Sequence, residues 1–411
     1  MSTTPGHVVV VGASAAGLTT AESLRKRGYD GELTLVGDEV HLPYDRPPLS
    51  KQILAGTWAP ERVRLRDEEA LRGLDATLRL GERATGLDLA ARQVRLGGSA
   101  ALGYDALVIA TGVTPRDLPG TALTGVHRLR TLDDALALRA GLLARPKVVV
   151  VGAGFLGAEV AAVARQMNLD VTLVDPLPVP MRRQFGEHIG DLVGRLHRDH
   201  GTELRCGVGV ARFAADTAGR VVGVHLEDDS VLDADLVVVA VGSVPATSWL
   251  AGSGVPLGNG VECDQYCRAA PGVYAAGDVA SWHNSHFGTR MRLEHRMNAT
   301  EQGMAVAKAI LGEAQPFAPV PYFWTDQYDA KIQAYGVFPE DARVQVLDGD
   351  LGNRKFVAAY VLDDVVVGVL GWNNPRGTRE ARRLVADHRT LPQRQHAVTQ
   401  SGACAATDSP P

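Results

Sequence analysis

Cysteine is scarce in this chain of 411 residues, which contains only Cys206, Cys263, Cys267 and Cys404. Four scattered cysteines do not form the framework of a small disulfide-rich protein, so a hydrophobic core must hold the fold. Long apolar runs are missing too, and no stretch approaches the roughly 18 uninterrupted residues of a membrane-spanning helix. The first residues lack the charged segment and apolar run of a secretory signal. We therefore expect a cytoplasmic protein that does not bind membranes.

A basic excess is also absent. Lys and Arg total 42 against 47 Asp and Glu, which gives a formal charge of −5 at pH 7. Nucleic acids and anionic membranes normally require a basic surface, so no nucleic-acid partner is expected. Glycine, in contrast, is abundant at 45 residues. This excess directs attention to places where the backbone closely approaches a ligand or another element.

One local pattern occurs twice. Val8–Gly17 has the sequence VVVVGASAAG, and Val148–Gly157 has the sequence VVVVGAGFLG. Each is an apolar β-branched run that breaks at a glycine and continues into a helical pattern followed by a short strand. Such β-turn-α-β units build parallel sheets. The predicted helices cover Ala13–Arg27 and Ala153–Met167, and the strands after them cover Leu33–Val36 and Val171–Val174.

Both units carry the glycine spacing of a dinucleotide-binding loop. The leading glycines, Gly12 and Gly152, would make the tight turn, and the closing glycines, Gly17 and Gly157, would let helix and strand pack closely. The helix N-terminus would then offer unpaired N–H groups to a pyrophosphate. The middle position is Gly154 in the second unit and Ser14 in the first.

An acidic residue follows each unit's second strand. Asp38, with Glu39 beside it, lies 26 residues after the leading glycine, and Asp175 lies 23 residues after its own. Either carboxylate could accept hydrogen bonds from ribose hydroxyls. One glycine loop alone is weak support for a nucleotide site, but two in register predict that the chain binds a flavin and a nicotinamide cofactor.

Other patterns indicate how the chain is divided. Asp105–Pro115 and Ala234–Pro245 share an acid, a buried strand, a glycine and a proline, as expected where the chain crosses between nucleotide domains. Val273–Ala280 (VYAAGDVA) would place Asp278 at the carboxyl edge of a sheet, unless that residue caps the next helix. Short antiparallel meanders are predicted within Ala76–Leu96 and Gly219–Leu232.

The rest of the chain is predicted to form one helix and a third domain. The helix starts near Glu294 and ends at Gly312. The predicted strands of the third domain lie near Lys331–Gly336, Arg343–Leu347, Phe356–Leu362 and Val365–Gly371. We predict one nucleotide domain of residues 1–115 and 245–320, a second of 116–244, a C-terminal domain of 321–394 and a disordered tail of 395–411.

Three stretches, together with the paired loops, resemble one family. They are His41–Lys51 (HLPYDRPPLSK), Val273–Ala280 and Pro321–Asp329 (PYFWTDQYD). The chain resembles the FAD-dependent NAD(P)H:ferredoxin reductases from about His7 to Asp387. That family includes putidaredoxin and rubredoxin reductases, the reductase components of dioxygenases and relatives of apoptosis-inducing factor. The implied fold is α/β, with two Rossmann-like dinucleotide-binding domains arranged as in glutathione reductase and a C-terminal α+β domain.

The resemblance also implies a set of cofactor contacts. Lys51 and Glu159, the predicted catalytic residues, would pair beside the flavin, although the residues alone favour a surface lysine and an ordinary helix glutamate. Arg296 departs from the family, which has an aromatic or aliphatic residue there, and it could instead point to solvent. The implied FAD contacts are Gly12, Ser14, Ala16, Gly17, Asp38, Glu39, Arg46, Lys51, Ala84, Thr111, Gly112, Arg130, Gly277, Asp278, Arg296 and Trp324. The implied NAD contacts are Gly152, Gly154, Phe155, Leu156, Gly157, Glu159, Asp175 and Gly242.

The sequence lacks a pair of redox-active cysteines and a set of metal ligands, and this absence indicates the kind of electron acceptor. Asp38–Lys51 contains no cysteine, and Cys263 and Cys267 do not have the spacing of a dithiol motif, so a disulfide reductase is not expected. His283 and His286 have no further ligands nearby in the sequence, so no metal site is expected. The flavin's electrons would therefore leave singly to a [2Fe–2S] ferredoxin. The basic face of this chain that docks the ferredoxin would be Arg376, Arg379, Arg382 and Arg383. The alternative is that these arginines are only the solvent-exposed face of an amphipathic helix.

These observations favour a ferredoxin reductase that uses NADH and serves a cytochrome P450 or a ring-hydroxylating dioxygenase. Asp175 would repel the 2′-phosphate of NADPH. Arg182 and Arg183 follow at some distance in the sequence, so NADPH remains an alternative cofactor. Two alternatives remain at this stage. One is a reductase of rubredoxin or another iron protein, and the other is a flavin-bearing, NADH-sensing binding protein resembling apoptosis-inducing factor.

Overall fold

The structure, a computed structural model, describes residues 4–98 and 100–391. Within these residues the helices alternate with strands over most of the chain, as expected for an α/β fold. The α-helices are α1 (Ala15–Lys26), α2 (Glu68–Gly73), α3 (Leu132–Leu143), α4 (Phe155–Gln166), α5 (Arg182–Asp199), α6 (Arg296–Ile310) and α7 (Pro375–Ala386).

A six-stranded sheet carries the first glycine loop. Its strands lie in the order Arg268–Ala270, Val273–Ala275, Ala106–Ile109, His7–Val11, Glu32–Gly37 and Thr77–Leu80. All neighbours are parallel except the edge strand Arg268–Ala270. The central strand is buried over four consecutive valines, because a parallel strand is covered on both faces.

A five-stranded parallel sheet carries the second glycine loop. Its strands lie in the order Glu203–Cys206, Val171–Asp175, Val148–Val151, Leu236–Val239 and Val126–His127. The pairing is parallel throughout. The sequence repeat therefore corresponds to a structural repeat, since each loop follows the strand at or next to the centre of its own sheet.

Smaller sheets accompany these two parts, and their strand pairs are antiparallel except that of Gly260–Cys263 with Ala280–Asn284. Where the chain crosses between the two parts, Val113–Pro115 pairs with Ser243–Pro245. The three-stranded sheets are Ala84–Asp88, Gln93–Leu96 and Leu102–Gly103, and Val210–Ala215, Val221–Leu226 and Val231–Asp233. The four-stranded sheet contains Leu257–Gly258, Gly260–Cys263, Ala280–Asn284 and Thr289–Met291.

The C-terminal part is an antiparallel sheet flanked by α7. Its five strands lie in the order Tyr322–Gln327, Ala330–Gly336, Val365–Trp372, Lys355–Leu362 and Arg343–Asp350. Helix α5, although it follows the second glycine loop in sequence, buries Phe185 and Leu196 in the same cluster as Phe356 and Trp372. The half of the chain that carries the second glycine loop therefore shares one hydrophobic core with the C-terminal sheet.

The predicted fold class is confirmed, and the element boundaries differ for physical reasons. Helices α1 and α4 each begin two residues later than predicted, because Ser14 and Gly154 take extended conformations as N-caps. The meander predicted within Ala76–Leu96 is partly wrong, since Thr77–Leu80 joins the parallel sheet instead. The domain limits stay a prediction, and the predicted disordered tail lies outside the described residues.

Candidate functional site

A cavity of about 1000 Å³ lies between the two glycine loops. Its wall is formed by both loops, the His41–Lys51 segment and the start of α6, and the C-terminal sheet contributes Phe323 and Trp324. The cavity lies at the carboxyl ends of the central parallel strands, where open α/β sheets bind ligands. Its volume is at the upper end of the range for ligand pockets, as a site for two large cofactors requires.

The two loops have the same backbone construction. The N–H of Gly12 donates to the carbonyl of Val36 at 2.7 Å, and the N–H of Gly152 donates to that of Val174 at 2.7 Å. Both glycines have positive φ, and a Cβ would lie 2.1 Å from the Ala110 carbonyl at Gly12 and 2.3 Å from that of the equivalent strand at Gly152. Any side chain at these positions would therefore displace the backbone.

The closing glycines lie behind the loops. A Cβ on Gly17 or Gly157 would lie 1.8 Å from the carbonyl oxygen of the leading glycine of its own loop. Neither residue lines the cavity, so both act through helix–strand packing. Helices α1 and α4 begin at the cavity with no side chain capping their first N–H groups. These N–H groups suit an anionic pyrophosphate.

The acidic residues are not equivalent in the two halves. Because Gly12 pairs with Val36 and Gly152 with Val174, Asp175 takes the position of Gly37, and Asp38 lies one residue further on. Asp175 accepts hydrogen bonds from two backbone amides, those of residues 153 and 177, at 2.7 and 2.8 Å. Asp38 is mostly exposed.

A polar network surrounds the first loop. The carboxylate of Glu39 lies 2.7 Å from the guanidinium of Arg46 and also accepts a hydrogen bond from Tyr44. Arg46 in turn donates to the backbone carbonyl of Arg130 at 2.9 Å. Burial raises the pKa of Tyr44, so its hydroxyl remains a donor at neutral pH. The network fixes the His41–Lys51 segment against the start of α3.

Arg130 and Asp278 form a second charged contact at the cavity, with Nη2 and Oδ2 3.4 Å apart. Burial raises the pKa of Asp278, while Arg130 opposes that shift. Asp278 does not cap a helix, because the strand Ala280–Asn284 follows it. The alternative interpretation of Asp278 as a cap is therefore wrong.

Arg296 points into the structure. Its guanidinium donates to the carboxylate of Asp45 and to the hydroxyl of Thr300, and it lines the cavity. The alternative in which Arg296 faces solvent is therefore wrong. The ion pair links the first turn of α6 to the His41–Lys51 segment.

Lys51 and Glu159 meet at the centre of the cavity wall. Lys51 Nζ lies 2.7 Å from Glu159 Oε2, and their side chains are only 13% and 8% exposed. The hydroxyl of Ser50 donates to Oε2 at 2.5 Å, and that of Thr325 donates to Oε1 at 2.8 Å. The alternative of a surface lysine is wrong. Glu159 joins the first half, the second half and the C-terminal sheet.

The structure brings the predicted site residues together. Every predicted cofactor contact except Gly17 and Gly157 lines the cavity. Sequence reasoning missed several residues that line it as well. These are Tyr44, Asp45, Trp249, His295 and Phe323. Tyr44 and Asp45 stand inside the PYDRPP run, which could have identified them, whereas Trp249 and His295 belong to no pattern in the sequence.

Two residues that line the cavity, Trp249 and His295, carry a buried polar atom that has no partner among the described residues. Within the described part of the chain, Trp249 Nε1 and His295 Nδ1 have no hydrogen-bond partner. Burial lowers the pKa of His295 to about 4, so a neutral imidazole faces the cavity at neutral pH. The two unpaired atoms are inaccessible even to water, so the fit of the cavity to a dinucleotide rests on the glycine loops and the uncapped starts of α1 and α4.

Comparison with known proteins places this architecture in a family. The model of the pyridine nucleotide-disulphide oxidoreductase family matches residues 6–303, and a reductase C-terminal model matches residues 322–401. The chain therefore belongs to the pyridine nucleotide-disulphide oxidoreductase family and carries a reductase C-terminal domain. Membership implies that FAD and NAD(P) are the two dinucleotides, in agreement with the paired loops and with the resemblance seen in the sequence.

Individual relatives match over nearly their whole length. Rhodocoxin reductase of Rhodococcus erythropolis is 36% identical over 396 residues, which cover 95% of this chain and 92% of that protein. The ferredoxin–NAD(+) reductase component of the anthranilate 1,2-dioxygenase system of Burkholderia cepacia is 36% identical, with 92% and 93% covered. The crystal structure of a covalent putidaredoxin reductase–putidaredoxin complex superimposes with a TM-score of 0.89 at 33% identity, covering 93% of each chain.

The described residues contain neither a grouped set of metal ligands nor a membrane-spanning helix. Among residues 4–98 and 100–391, no three or more His, Cys, Asp or Glu side chains are grouped as metal ligands. In the same residues, no helix combines the length and the apolar character that crossing a bilayer requires.

Proposed function

We propose that this chain is an NADH-dependent ferredoxin reductase that delivers single electrons to a [2Fe–2S] ferredoxin serving a cytochrome P450 or a ring-hydroxylating dioxygenase. The observation that carries this proposal is that both dinucleotide loops open into one cavity. FAD, when bound, converts a two-electron hydride into single-electron transfers. Relatives named as reductases of rhodocoxin and of a dioxygenase ferredoxin support the same activity.

The first loop is proposed to hold FAD. The N-terminus of α1 would bind its pyrophosphate, and the exposed carboxylate of Asp38 would bind a ribose. Arg130 and Asp278, which lie further along the cavity, would contact the remainder of the molecule. His295 and Arg296 line the cavity, which supports a ligand that reaches the start of α6.

The second loop is proposed to bind NADH. The N-terminus of α4 would bind the pyrophosphate, and the carboxylate of Asp175 would bind the adenosine ribose while repelling a 2′-phosphate. The Lys51–Glu159 ion pair would hold the nicotinamide in place, because hydride transfer requires reacting atoms about 3–3.5 Å apart. Phe155 and Trp324 would exclude water from that region.

The arginines of α7 are proposed to dock the ferredoxin. Arg382 lies over the ring of Tyr335, 5.7 Å from its centroid. Tyr335 packs on Tyr322 with centroids 4.6 Å apart, and Tyr322 stacks on Trp324 with centroids 5.9 Å apart. This row of side chains joins α7 to the cavity wall, so an acidic partner docked here would lie close to the flavin end of the site.

Reduction of a ferredoxin tests this proposal. Purified chain carrying flavin should reduce a [2Fe–2S] ferredoxin rapidly with NADH. Charge reversal by Arg379→Glu with Arg382→Glu should raise the KM for ferredoxin about tenfold at low salt. Reduction of the flavin by NADH should not change.

Reversal of Arg195 and Arg198 on α5 is the control with the same change in net charge, and it should leave the KM for ferredoxin unchanged. A protein whose flavin NADH reduces, but which passes no electrons to any [2Fe–2S] ferredoxin, would contradict the proposal and favour the binding-protein alternative. An unchanged KM in the Arg379/Arg382 variant would contradict the docking face alone.

A further inference from the structure

A buried row of polar side chains leads away from the Lys51–Glu159 pair, between the C-terminal sheet and α5. Gln327 Nε2 is 3.2 Å from Thr325 Oγ1, and His197 Nε2 is 2.9 Å from Gln327 Oε1. Tyr328 OH is 3.4 Å from His197 Nδ1 and 2.8 Å from Thr202 Oγ1. His197, Gln327 and Thr325 are at most 1% exposed. The polar chain, as we call it, comprises Thr202, Tyr328, His197, Gln327, Thr325 and Glu159.

The direction of each hydrogen bond follows from Glu159. Because Glu159 is paired with Lys51, its oxygens are acceptors, and the single hydroxyl proton of Thr325 must be donated to Oε1. Thr325 Oγ1 then has to accept, so the amide NH₂ of Gln327 faces it. The carbonyl oxygen of Gln327 therefore faces His197.

The remaining half of the polar chain is fixed in the same way. The oxygen of Gln327 can only accept, so His197 must carry its proton on Nε2. Nδ1 of His197 is then an acceptor, and the hydroxyl of Tyr328 donates to it. Thr202 completes the order by donating to Tyr328. Burial lowers the pKa of His197 to about 4, in agreement with a neutral ring.

We propose that His197 is a positioning residue, which fixes the orientation of Gln327 and Thr325 and so holds the carboxylate of Glu159 against Lys51. Each hydrogen bond between members of the polar chain is donated in the direction of Glu159, and the amide of Gln327 also donates to Met181 Sδ at 3.4 Å. The primary amide of Gln327 interrupts any route for proton movement, because it has no titratable proton near neutral pH. The polar chain therefore orients the ion pair rather than conducting protons.

The polar chain connects two parts of the molecule that are distant in sequence. His197 and Thr202 belong to the second nucleotide-binding half, whereas Thr325 and Gln327 lie on a C-terminal strand. The carboxylate of Glu159 thus depends on how α5 packs against that sheet. The hydrogen-bond order does not depend on the proposed function. Only the expected effect on the rate of flavin reduction rests on the proposed role of the Lys51–Glu159 pair.

The tautomer of His197 tests the hydrogen-bond order directly. In the full chain with its cofactor, labelled with ¹⁵N-histidine, NMR at neutral pH should show His197 protonated on Nε2 and bare on Nδ1. The Tyr328→Phe variant removes the donor to Nδ1 but leaves the Gln327 oxygen opposite Nε2, so its ring should keep the same tautomer. A wild-type ring protonated on Nδ1, or on both nitrogens, would overturn the proposal.

Substitution tests the effect on the site. His197→Leu should lower the rate constant for flavin reduction at saturating NADH about tenfold. His197→Gln, which can still donate to Gln327, should restore the rate to within about twofold. His188→Leu, at an exposed position of the same helix, is the control. A wild-type rate in His197→Leu would contradict the positioning role. Failure of NADH to reduce the wild-type flavin would instead contradict the proposed function. In that case the tautomer of His197 would still decide whether the hydrogen-bond order is correct.

Discussion

At the first glycine loop, three pairs of oppositely charged side chains line the cavity, with Glu39 against Arg46, Asp278 against Arg130 and Asp45 against Arg296. At the second loop, Asp175 is instead held by two backbone amides of its own half. The leading glycines make equivalent backbone hydrogen bonds of the same length. The two halves therefore share a scaffold and differ in the side chains around it.

This difference shows which residues set the ligand. A glycine loop and a helix N-terminus bind any dinucleotide pyrophosphate. Discrimination must come from the groups beyond the loop, and these follow no repeat in the sequence. Lys51 and Glu159 are the point at which the two surroundings meet, since one comes from each half.

The largest effect is expected from substitution of the leading glycines. Gly12→Ala should abolish FAD retention, and Gly152→Ala should give a yellow protein that binds NADH about 100-fold more weakly, because each added Cβ displaces a backbone carbonyl. The measurements are the flavin-to-protein absorbance ratio and an anaerobic NADH titration. Gly28→Ala, at a positive φ with no atom near the added Cβ, is the control; it carries similar backbone strain away from the cavity and should bind both cofactors as the wild type does. Identical outcomes for the two substitutions would show that the halves do not divide the cofactors.

Breaking the contact between the halves should have the next largest effect. Lys51→Met leaves the carboxylate of Glu159 without its cation and should slow flavin reduction by NADH about 100-fold, because the nicotinamide is no longer held in line. Stopped-flow absorbance measures this rate. The matched control is Lys331→Met, which removes an exposed lysine from a C-terminal strand. An unchanged rate in Lys51→Met would show that the ion pair does not hold the nicotinamide in place.

The acidic residues of the two halves, Asp175 and Asp38, should differ in their effect on the preference for NADH over NADPH. Asp175→Asn should reduce the ratio of kcat/KM for NADH over NADPH about tenfold, because the repulsion of a 2′-phosphate is lost. Asp38→Asn in the first half should leave that ratio unchanged, since Asp38 is proposed to contact FAD only. A shift of the ratio by the Asp38 variant would reverse the assignment of the halves.

The smallest effect is expected at the middle position of each loop. Gly154 has an extended backbone, and a Cβ there would meet only Gln184 Nε2 at 3.6 Å. Gly154→Ser should therefore raise the KM for NADH only about threefold, in line with the presence of Ser14 in the first loop. Steady-state kinetics measures this change. A loss as large as that of Gly152→Ala would mean that the loops differ in backbone after all.

Most of the scaffold was predictable because it depends on local rules. Four consecutive valines before a glycine predict a buried parallel strand, and the spacing from Gly12 to Gly17 predicts the helix behind it. The strand Thr77–Leu80 was not recognised as part of the main sheet, since it is short and half-exposed and its partner is distant in sequence.

The site was predictable where residues belong to a motif and not where they depend on packing. Lys51 and Glu159 were paired through the family resemblance, whereas spacing alone left them as ordinary surface and helix residues. His197 and Gln327 are 130 residues apart, and no periodicity connects them. Their contact exists only because α5 packs into the core of the C-terminal sheet, which is a property of the tertiary fold.

An anaerobic titration of the wild-type chain with NADH tests the central claim, that one cavity holds both dinucleotides in reacting contact. The account predicts a yellow protein whose flavin absorbance disappears with one equivalent of NADH. A colourless preparation that takes up no FAD, or a yellow one that NADH does not bleach, would contradict it.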